Sequence, residues 1–308
     1  MKTLITSLIF GLFLSLPLLA SGSGSSSKPL QNSYPIVLSH GLFGWGDSDS
    51  KAVVSIIDYW GGLDEYLRSQ GAVVYAPTKS ATQSNEIRGQ QLKEKVLVWM
   101  AAKGVKKVHV IGHSQGGLDS RYMISNLGMS TYVSSLTTVS TPHYGSPIAD
   151  IVKAVLPDWI EPFVSKVLGV VTKLIWSGTD QDGIAALESL TKEGLSAFNS
   201  YTPNSSGVKY FSTGSHITIT DIVQHPLMGI LHPICGLGGS SGGQGFANDG
   251  LVPLSSQKWG TWLGEPNWNW FATGLDHLQM SNTFKSGEWS FDVEGYYLFM
   301  AKNAMNKQ

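Results

Sequence analysis

The stretch Val108-His109-Val110-Ile111-Gly112-His113-Ser114-Gln115-Gly116-Gly117 decides the fold. It contains Gly-x-Ser-x-Gly, with an apolar β-type run before the serine and a helix-type run after it. Such a serine lies on a sharp, strained turn, and the flanking glycines leave room for the neighbouring backbone. The pattern predicts a nucleophilic Ser114 at the end of a strand, with the N–H of Gln115 facing the reacting carbonyl oxygen.

Short β-rich runs and longer helical stretches alternate on both sides of this motif. We expect strands at residues 36–38, 73–75, 108–111 and 136–139, and helices over 58–70, 85–103 and 115–127. The predicted buried face of the second helix holds Ile87, Gln91, Leu92, Val96, Trp99 and Met100. The alternation predicts an α/β fold: a mostly parallel sheet with helices on both faces.

The composition excludes several classes of protein. The 308 residues carry a formal net charge of −1, and only 14% are charged, so the chain lacks the basic surplus of a nucleic-acid-binding protein. The single cysteine, Cys235, cannot form an intramolecular disulfide. No His-Glu-x-x-His pattern occurs, which argues against a zinc hydrolase.

The first residues have the composition of a secretory signal peptide. Lys2 precedes an apolar run, residues 4–19, that is short for a membrane-spanning helix and is followed by small residues. We expect a signal peptide at about residues 1–24, a flexible linker at 25–33 and one folded domain at 34–308. The protein would then be secreted through the periplasm, whereas a retained membrane anchor is the alternative.

A serine nucleophile needs a general base, and the base needs a carboxylate that fixes its tautomer. In chains with this strand-turn-helix motif, the order is serine, then Asp or Glu, then histidine, which selects His277, the last histidine. We expect the carboxylate to be Asp249, because Asn-Asp-Gly ends a Gly/Ser-rich loop at 236–250. Asp221 and Asp276 are the alternatives.

A second donor to the oxyanion is expected from the loop after the first strand, Ser39-His40-Gly41-Leu42. Gly41 lets the backbone approach the site, so the Leu42 N–H can join that of Gln115. His40 and His113 are expected to support these loops rather than to act as bases.

Two other segments have distinctive patterns. An apolar helical stripe at 160–175 is typical of a core helix or of a lid over a hydrophobic site, and we place a lid insertion at about 146–200. Four tryptophans between residues 258 and 270 are expected to pack against the fold rather than to bind a ligand.

Four motifs follow one another in the chain: His40-Gly41-Leu42, residues 112–117, Thr141-Pro142-His143-Tyr144-Gly145-Ser146 and Asn248-Asp249-Gly250-Leu251-Val252. In these motifs the chain resembles the secreted bacterial triacylglycerol lipases of the Pseudomonas and Burkholderia type. The resemblance implies an α/β-hydrolase fold, a Ser114-Asp249-His277 triad, oxyanion donors at Leu42 and Gln115, and a mobile helical lid. It also implies a lipid substrate at an oil–water interface, chemistry without an organic cofactor, and a dedicated foldase as a partner.

The chain departs from that family at two places. Those lipases hold a calcium ion beside the histidine loop, and this chain has Gln279 and Thr283 at the positions of the usual ligands, which weakens the case for a structural calcium. Where many members have a cysteine, this chain has Ser255 and Ser256. We expect the tryptophan-rich insert to stiffen the histidine loop instead.

The sequence therefore predicts a secreted serine carboxylester hydrolase, with triacylglycerols as the expected substrate. A short-chain esterase, a phospholipase and a polyester depolymerase are alternatives, because one triad serves any carboxylic ester. An alternative of another class is a hydrolase-fold protein without catalysis that binds lipid or a partner.

Overall fold

The computed structural model describes residues 27–46, 58–155 and 181–308. Its described residues form a six-stranded sheet in the order β2-β1-β3-β4-β5-β6, and every neighbouring pair is parallel. The strands are β1 Ile36–Ser39, β2 Val74–Tyr75, β3 Val108–His113, β4 Val133–Val139, β5 Lys209–Thr213 and β6 Thr261–Trp262. The predicted α/β fold with a mostly parallel sheet is confirmed.

Eight α-helices lie in the described ranges. They are α1 Leu63–Ser69, α2 Asn85–Lys103, α3 Gln115–Asn126, α4 Pro147–Val155, α5 Gly183–Glu188, α6 Lys192–Tyr201, α7 Met228–Ser241 and α8 Val293–Met305. The second and third begin at the predicted residues: Ser84 caps α2 by accepting a hydrogen bond from the Ile87 N–H, and α3 follows Ser114 directly.

The sheet separates two hydrophobic cores. Side chains alternate along β1, so Ile36 and Leu38 pack with α1 and α8, whereas Val37 packs with α2 and α3. Both faces of the sheet are therefore covered, which explains why β1, β3 and β4 are buried at every residue. Because all strands run the same way, their carboxyl ends share one edge, and the loops that follow β1 and β3 meet there.

The first helix is shorter than the predicted range 58–70. It begins at Leu63, because the Asp58 carboxylate accepts hydrogen bonds from the N–H groups of Trp60 and Gly62 and closes a turn ahead of the helix. This local competition between an aspartate side chain and the helix is typical of residues that favour turns.

The predicted inner face of α2 is partly wrong. Leu92, Val96 and Met100 are buried, but Ile87 is 43% exposed and the neighbouring Arg88 is fully buried. Residues 88, 92, 96 and 100 are four apart and share one face, so the guanidinium lies at the inner end of the apolar stripe. The electrostatic partners that make this burial tolerable are described below.

The predicted loop at 236–250 is helical in its first part, since α7 extends to Ser241. Its glycines permit close packing: a Cβ at Gly236 would lie 2.7 Å from the Phe246 ring, and one at Gly238 would lie 2.7 Å from Pro147. The glycines thus serve close contact between helices and loops rather than flexibility.

Two predicted features fall outside the residues that the structure describes. The signal peptide at 1–24 and the stripe at 160–175 lie outside them, so the processing site and the lid stay predictions. The described part of the insertion at 146–200 forms α4, α5 and α6. No helix in the described ranges combines the length and apolar character needed to cross a bilayer.

The tryptophans of the 258–270 insert differ in their surroundings. Trp259 stacks on His143 with ring centroids 5.1 Å apart and lies 3.6 Å from the Arg121 guanidinium. Trp268 packs on the edge of His216. Trp270, in contrast, is 94% exposed, so the expectation that these aromatics all pack is wrong for this residue.

Candidate active site

Ser114 lies between β3 and α3 with a strained backbone. Its φ of 55° and ψ of −131° are unusual for a residue with a Cβ, and the turn is fixed because its N–H donates to Val139 O at 2.8 Å and its carbonyl accepts from Thr141 Oγ1 at 2.8 Å. Such strain at a half-buried serine is the feature expected of a residue held for chemistry.

Asp249 and His277 are buried side by side. The His277 Nδ1 donates to Asp249 Oδ2 at 2.8 Å, and the His277 backbone N–H donates to Asp249 O at 3.0 Å. The second carboxylate oxygen, Oδ1, accepts from the N–H groups of Leu251 and Val252 at 3.1 and 2.8 Å. The carboxylate is therefore fixed on both oxygens and holds the ring in the tautomer whose Nε2 is free to accept a proton.

The histidine ring also lies beside the nucleophile turn. The ring of His277 is 4.8 Å, centroid to centroid, from that of His113, the residue before Ser114. Among the described residues, no hydrogen bond joins the Ser114 hydroxyl to this ring. Catalytic hydrogen bonds are often long without substrate and tighten only in the complex.

The loop after β1 approaches the serine closely. A Cβ on Gly41 would lie 2.7 Å from Ser114 Cβ, so only glycine fits there. In the described structure neither the Leu42 N–H nor the Gln115 N–H has an acceptor. Two N–H groups without an acceptor, beside a strained serine, are the arrangement needed to bind an oxyanion.

A chain of hydrogen bonds connects the three loops of the site. The Gly41 N–H donates to Tyr59 Oη at 2.8 Å, Tyr59 Oη lies 2.7 Å from His113 Nδ1, and His113 Nε2 lies 2.9 Å from the His277 carbonyl oxygen. Because that carbonyl can only accept, His113 carries its proton on Nε2 and accepts from the phenol on Nδ1. Burial, reinforced by His277, lowers the pKa of His113 well below its usual value, so it is a neutral support, as predicted.

His40 is also a support. Its Nδ1 donates to Gly41 O at 2.9 Å, and its Nε2 accepts from the Lys79 N–H at 2.9 Å. Burial and the nearby cations Lys79 and Arg88 lower the pKa of His40 well below its usual value. The ring is therefore neutral and pins the loop, in agreement with its predicted structural role.

Beneath this loop lies a buried ion cluster of Lys79, Arg88 and Asp119, all with fully buried side chains. The Asp119 carboxylate is 2.9 Å from Arg88 Nε and 3.2 Å from Lys79 Nζ. Arg88 Nη2 donates to the carbonyl oxygens of His40 and Gly41 at 2.8 and 3.1 Å. Burial lowers the pKa of Lys79 to about 7, with Asp119 opposing the shift and Arg88 adding to it.

The competing carboxylates have other partners. Asp276 Oδ2 is 3.0 Å from His225 Nδ1, and its Oδ1 accepts from the N–H groups of Leu278 and Gln279. Asp221 accepts from backbone N–H groups at the start of its own turn. Neither carboxylate contacts the ring of His277.

The residues at the family's calcium positions do not fit a calcium ion. Gln279 Oε1 accepts from the Asp276 N–H at 2.9 Å and its Nε2 donates to Ser290, while the Thr283 hydroxyl donates to Tyr59 O at 3.0 Å. The ligand atoms are thus uncharged and already bonded within the protein. No cluster of three His, Cys, Asp or Glu side chains suited to a metal occurs in the described ranges.

Hydrogen bonds from polar side chains stiffen the histidine loop. Besides Gln279 and Thr283, Asn282 donates to Gly61 O at 2.9 Å and the Tyr297 hydroxyl donates to Met280 O at 2.9 Å. At the place of the family's cysteine, Ser256 Oγ donates to Gly145 O and accepts from the Tyr144 N–H. Trp268 of the insert packs against the core cluster that includes Leu275 and Met280, so stiffening of this loop by the tryptophan-rich insert stays a prediction beside these polar bonds.

Comparison with known proteins agrees with this geometry. A protein-family model described as the alpha/beta hydrolase fold matches residues 34–178. The chain has the α/β-hydrolase fold. Among structures of that fold, it is similar to Staphylococcus hyicus lipase, with a TM-score of 0.65 and 20% identity over 90% of this chain and 96% of the other. Lipase 1 from Pelosinus fermentans gives a TM-score of 0.60 and 20% identity over 89% and 99%.

Sequence relatives of this chain include bacterial lipases. It is 36% identical to a triacylglycerol lipase of Vibrio cholerae over 63% of this chain and 66% of that protein. It is 38% identical to a triacylglycerol lipase of Burkholderia plantarii over 56% and 48%. The predicted resemblance to bacterial triacylglycerol lipases is confirmed, and the chain spans about half to two thirds of the length of these relatives.

Sequence reasoning missed four residues of this site: Tyr59, Lys79, Arg88 and Asp119. One signal was available for Arg88, since it lies four residues before Leu92 on the inner face of α2. The other three lie in segments where a polar residue suggests exposure, and only the fold reveals that they are buried.

Proposed function

We propose that this protein is a serine carboxylester hydrolase that cleaves triacylglycerols. The observation that carries the proposal is the fixed Asp249–His277 pair beside a strained Ser114. The names of the relatives from Vibrio and Burkholderia support the substrate class.

In the proposed reaction, Ser114 Oγ attacks the ester carbonyl while His277 Nε2 takes the hydroxyl proton. Asp249 stabilises the imidazolium, and the N–H groups of Leu42 and Gln115 hold the negative oxygen. His277 then gives its proton to the leaving alcohol, and the acyl group remains on Ser114. Water, activated by the same histidine, releases the fatty acid and restores the serine.

An uncharged apolar surface near the histidine loop supports a water-insoluble substrate. We define this apolar surface by Ile222, Val223, Leu227, Trp270 and Phe271, whose exposed fractions range from 45% to 94%. Its two segments are joined because Gln224 donates to Phe271 O and accepts from the Thr273 N–H. Between residues 217 and 247, Asp221 is the only Asp, Glu, Lys or Arg in the sequence. Exposed apolar area of this kind marks contact with lipid or another partner.

The catalytic proposal is tested with purified Ser114→Ala. We expect it to fold like the wild type and to lose hydrolysis of p-nitrophenyl esters, and we expect a fluorophosphonate to label only the wild type. Substantial hydrolysis by folded Ser114→Ala would overturn the assignment. A wild type that is neither active nor labelled would instead favour a binding protein without catalysis.

The substrate class is tested separately, with emulsified triolein and dissolved tributyrin. We expect the rate to rise sharply once the ester exceeds its solubility, because the apolar surface then contacts oil. A flat response across that limit would favour a plain esterase. Secretion through the periplasm and the need for a foldase are further parts of the proposal, tested by expression with and without such a partner.

A further inference from the structure

The ammonium of Lys79 lies in a pocket of acceptors behind the oxyanion loop. Its Nζ is 2.8 Å from Ser39 Oγ, 2.9 Å from His40 O and 3.2 Å from Asp119 Oδ2. The side chain is fully buried and the mechanism above does not use it. Burying a charged lysine costs free energy unless the ammonium is paired and hydrogen-bonded. The role of Lys79 is therefore sought in the bonds that it makes.

The hydrogen bonds around Lys79 define its protonation. Ser39 Oγ donates its own proton to Gly116 O at 3.0 Å, so toward Lys79 it can only accept. The carbonyl of His40 and the carboxylate of Asp119 also accept. Three acceptors match the three protons of an ammonium, whereas a neutral amine has two protons and would set its lone pair against one of the acceptors.

These bonds join the two segments that supply the oxyanion donors, the loop after β1 and the nucleophile turn. Through Ser39, Lys79 reaches Gly116 in the nucleophile motif, and through His40 O it reaches the loop that carries Leu42. The next carbonyl, Gly41 O, is bound by Arg88 on the same side. In a trans peptide, the C=O and the following N–H point in opposite directions, so binding Gly41 O from behind aims the Leu42 N–H away from the cluster.

We infer that Lys79, with Asp119 as its counter-ion, is a positioning residue that holds the oxyanion loop against the nucleophile turn so that the Leu42 N–H faces the reacting carbonyl. The inference rests on the proposed function. The groups that face the ammonium are His40 from the loop after β1, Arg88 from α2 and Asp119 from α3. With two cations against one carboxylate, the replacement of Lys79 by a neutral residue leaves the balanced pair Arg88–Asp119.

The test compares Lys79→Met with the wild type at pH 6.5 on a dissolved p-nitrophenyl ester. Methionine keeps the apolar stem of the lysine and removes its three donors. We expect kcat to fall by about 10- to 100-fold with KM within about twofold, because an oxyanion donor acts chiefly in the transition state and a displacement near 1 Å costs about 100-fold. Active sites are counted by fluorophosphonate titration.

Met100→Ala is the control for lost stability, since Met100 is buried in the core near the end of α2, about three turns along that helix from Arg88 and the ion cluster. A loss of kcat in Lys79→Met that exceeds the loss in Met100→Ala at an equal drop in melting temperature supports the positioning role. Equal losses, or a kcat within twofold of the wild type, overturn it. If Lys79→Met does not fold, Ser39→Ala decides: a lower kcat at constant KM supports the role and an unchanged kcat overturns it.

The two proposals fail in different ways. An inactive wild type removes the proposed function and the positioning role together. If the wild type is active and Lys79→Met is equally active, only the positioning role is refuted.

Discussion

Replacing Asp249 by asparagine keeps the shape of the side chain, removes its negative charge and turns one acceptor oxygen into an NH₂ donor. The retained oxygen of the amide can still accept from the N–H groups of Leu251 and Val252, as Oδ1 does in the wild type. The new NH₂ group takes the place of Oδ2, so it faces His277 Nδ1, which must accept instead of donate, and the bond that Oδ2 accepts from Gln257 Nε2 at 3.3 Å is lost. The amide cannot flip without setting its NH₂ group against two backbone donors. The ring is therefore held with its proton on Nε2, where it cannot take the proton of Ser114.

The expected loss is about 10⁴-fold in kcat, which corresponds to about 5 kcal/mol of activation free energy. The assay is p-nitrophenyl ester hydrolysis per folded molecule, with folding checked by circular dichroism. Asp276→Asn is a matched control, because Asp276 also binds a histidine and two backbone N–H groups but does not touch the ring of His277. We expect this control to keep activity within about tenfold. If Asp249→Asn retains a tenth of wild-type activity, the assigned role of Asp249 is wrong.

Three other predictions follow from packing, burial and exposure. In Gly116→Ala the new methyl group would lie 2.6 Å from His40 O. We expect a loss of about 1–3 kcal/mol in the free energy of unfolding, by urea titration, and about 100-fold in kcat. The free energy of unfolding should fall as the pH drops below about 6.5, by up to about 1.4 kcal/mol per pH unit for each buried histidine, because the unfolded chain takes up protons that the folded state rejects. The histidines whose pKa burial lowers well below the usual value are His40, His113 and His143. Trp270→Ser should weaken adsorption to a triolein emulsion by about tenfold, or about 1.4 kcal/mol, and leave hydrolysis of dissolved p-nitrophenyl acetate unchanged.

Each of these three predictions would be contradicted by one specific result. Wild-type stability and kcat in Gly116→Ala would show that the loop after β1 yields without cost. An unfolding free energy that is constant from pH 7 to pH 5 would mean that these histidines are protonated in the fold. Equal adsorption of Trp270→Ser and the wild type would remove this residue from the proposed contact with lipid.

The sequence predicted the parts of the molecule whose chemistry is local. The turn at Ser114 follows from small residues beside a strand and a helix, and the helix at 85–103 follows from Ser84 before it and Gly104 after it. Chain order selects His277, the Gly/Ser-rich loop before Asn-Asp-Gly favours Asp249, and the structure sets their side chains 2.8 Å apart. Their catalytic roles stay a proposal until the variants above are measured.

The sequence could not predict contacts made between distant segments. Tyr59 and His113 are 54 residues apart, and Lys79 and Asp119 are 40 apart, so no spacing rule connects them. The apolar pattern predicts Ile87 rather than Arg88 on the inner face, whereas the ion cluster buries the Arg88 guanidinium. The glycines at 236–239 predict a loop because their intrinsic propensity disfavours helix, and tertiary packing overrides that preference.

The phenol of Tyr59 bonds to the oxyanion loop at Gly41 and to His113 of the nucleophile turn, and His113 in turn bonds to the carbonyl of the base, His277. A substitution that moves one of these segments therefore strains the other two through this chain of hydrogen bonds. Efforts to reshape the site for a different ester should change these segments together, since a library that varies one of them alone would select mainly for restoring the original spacing.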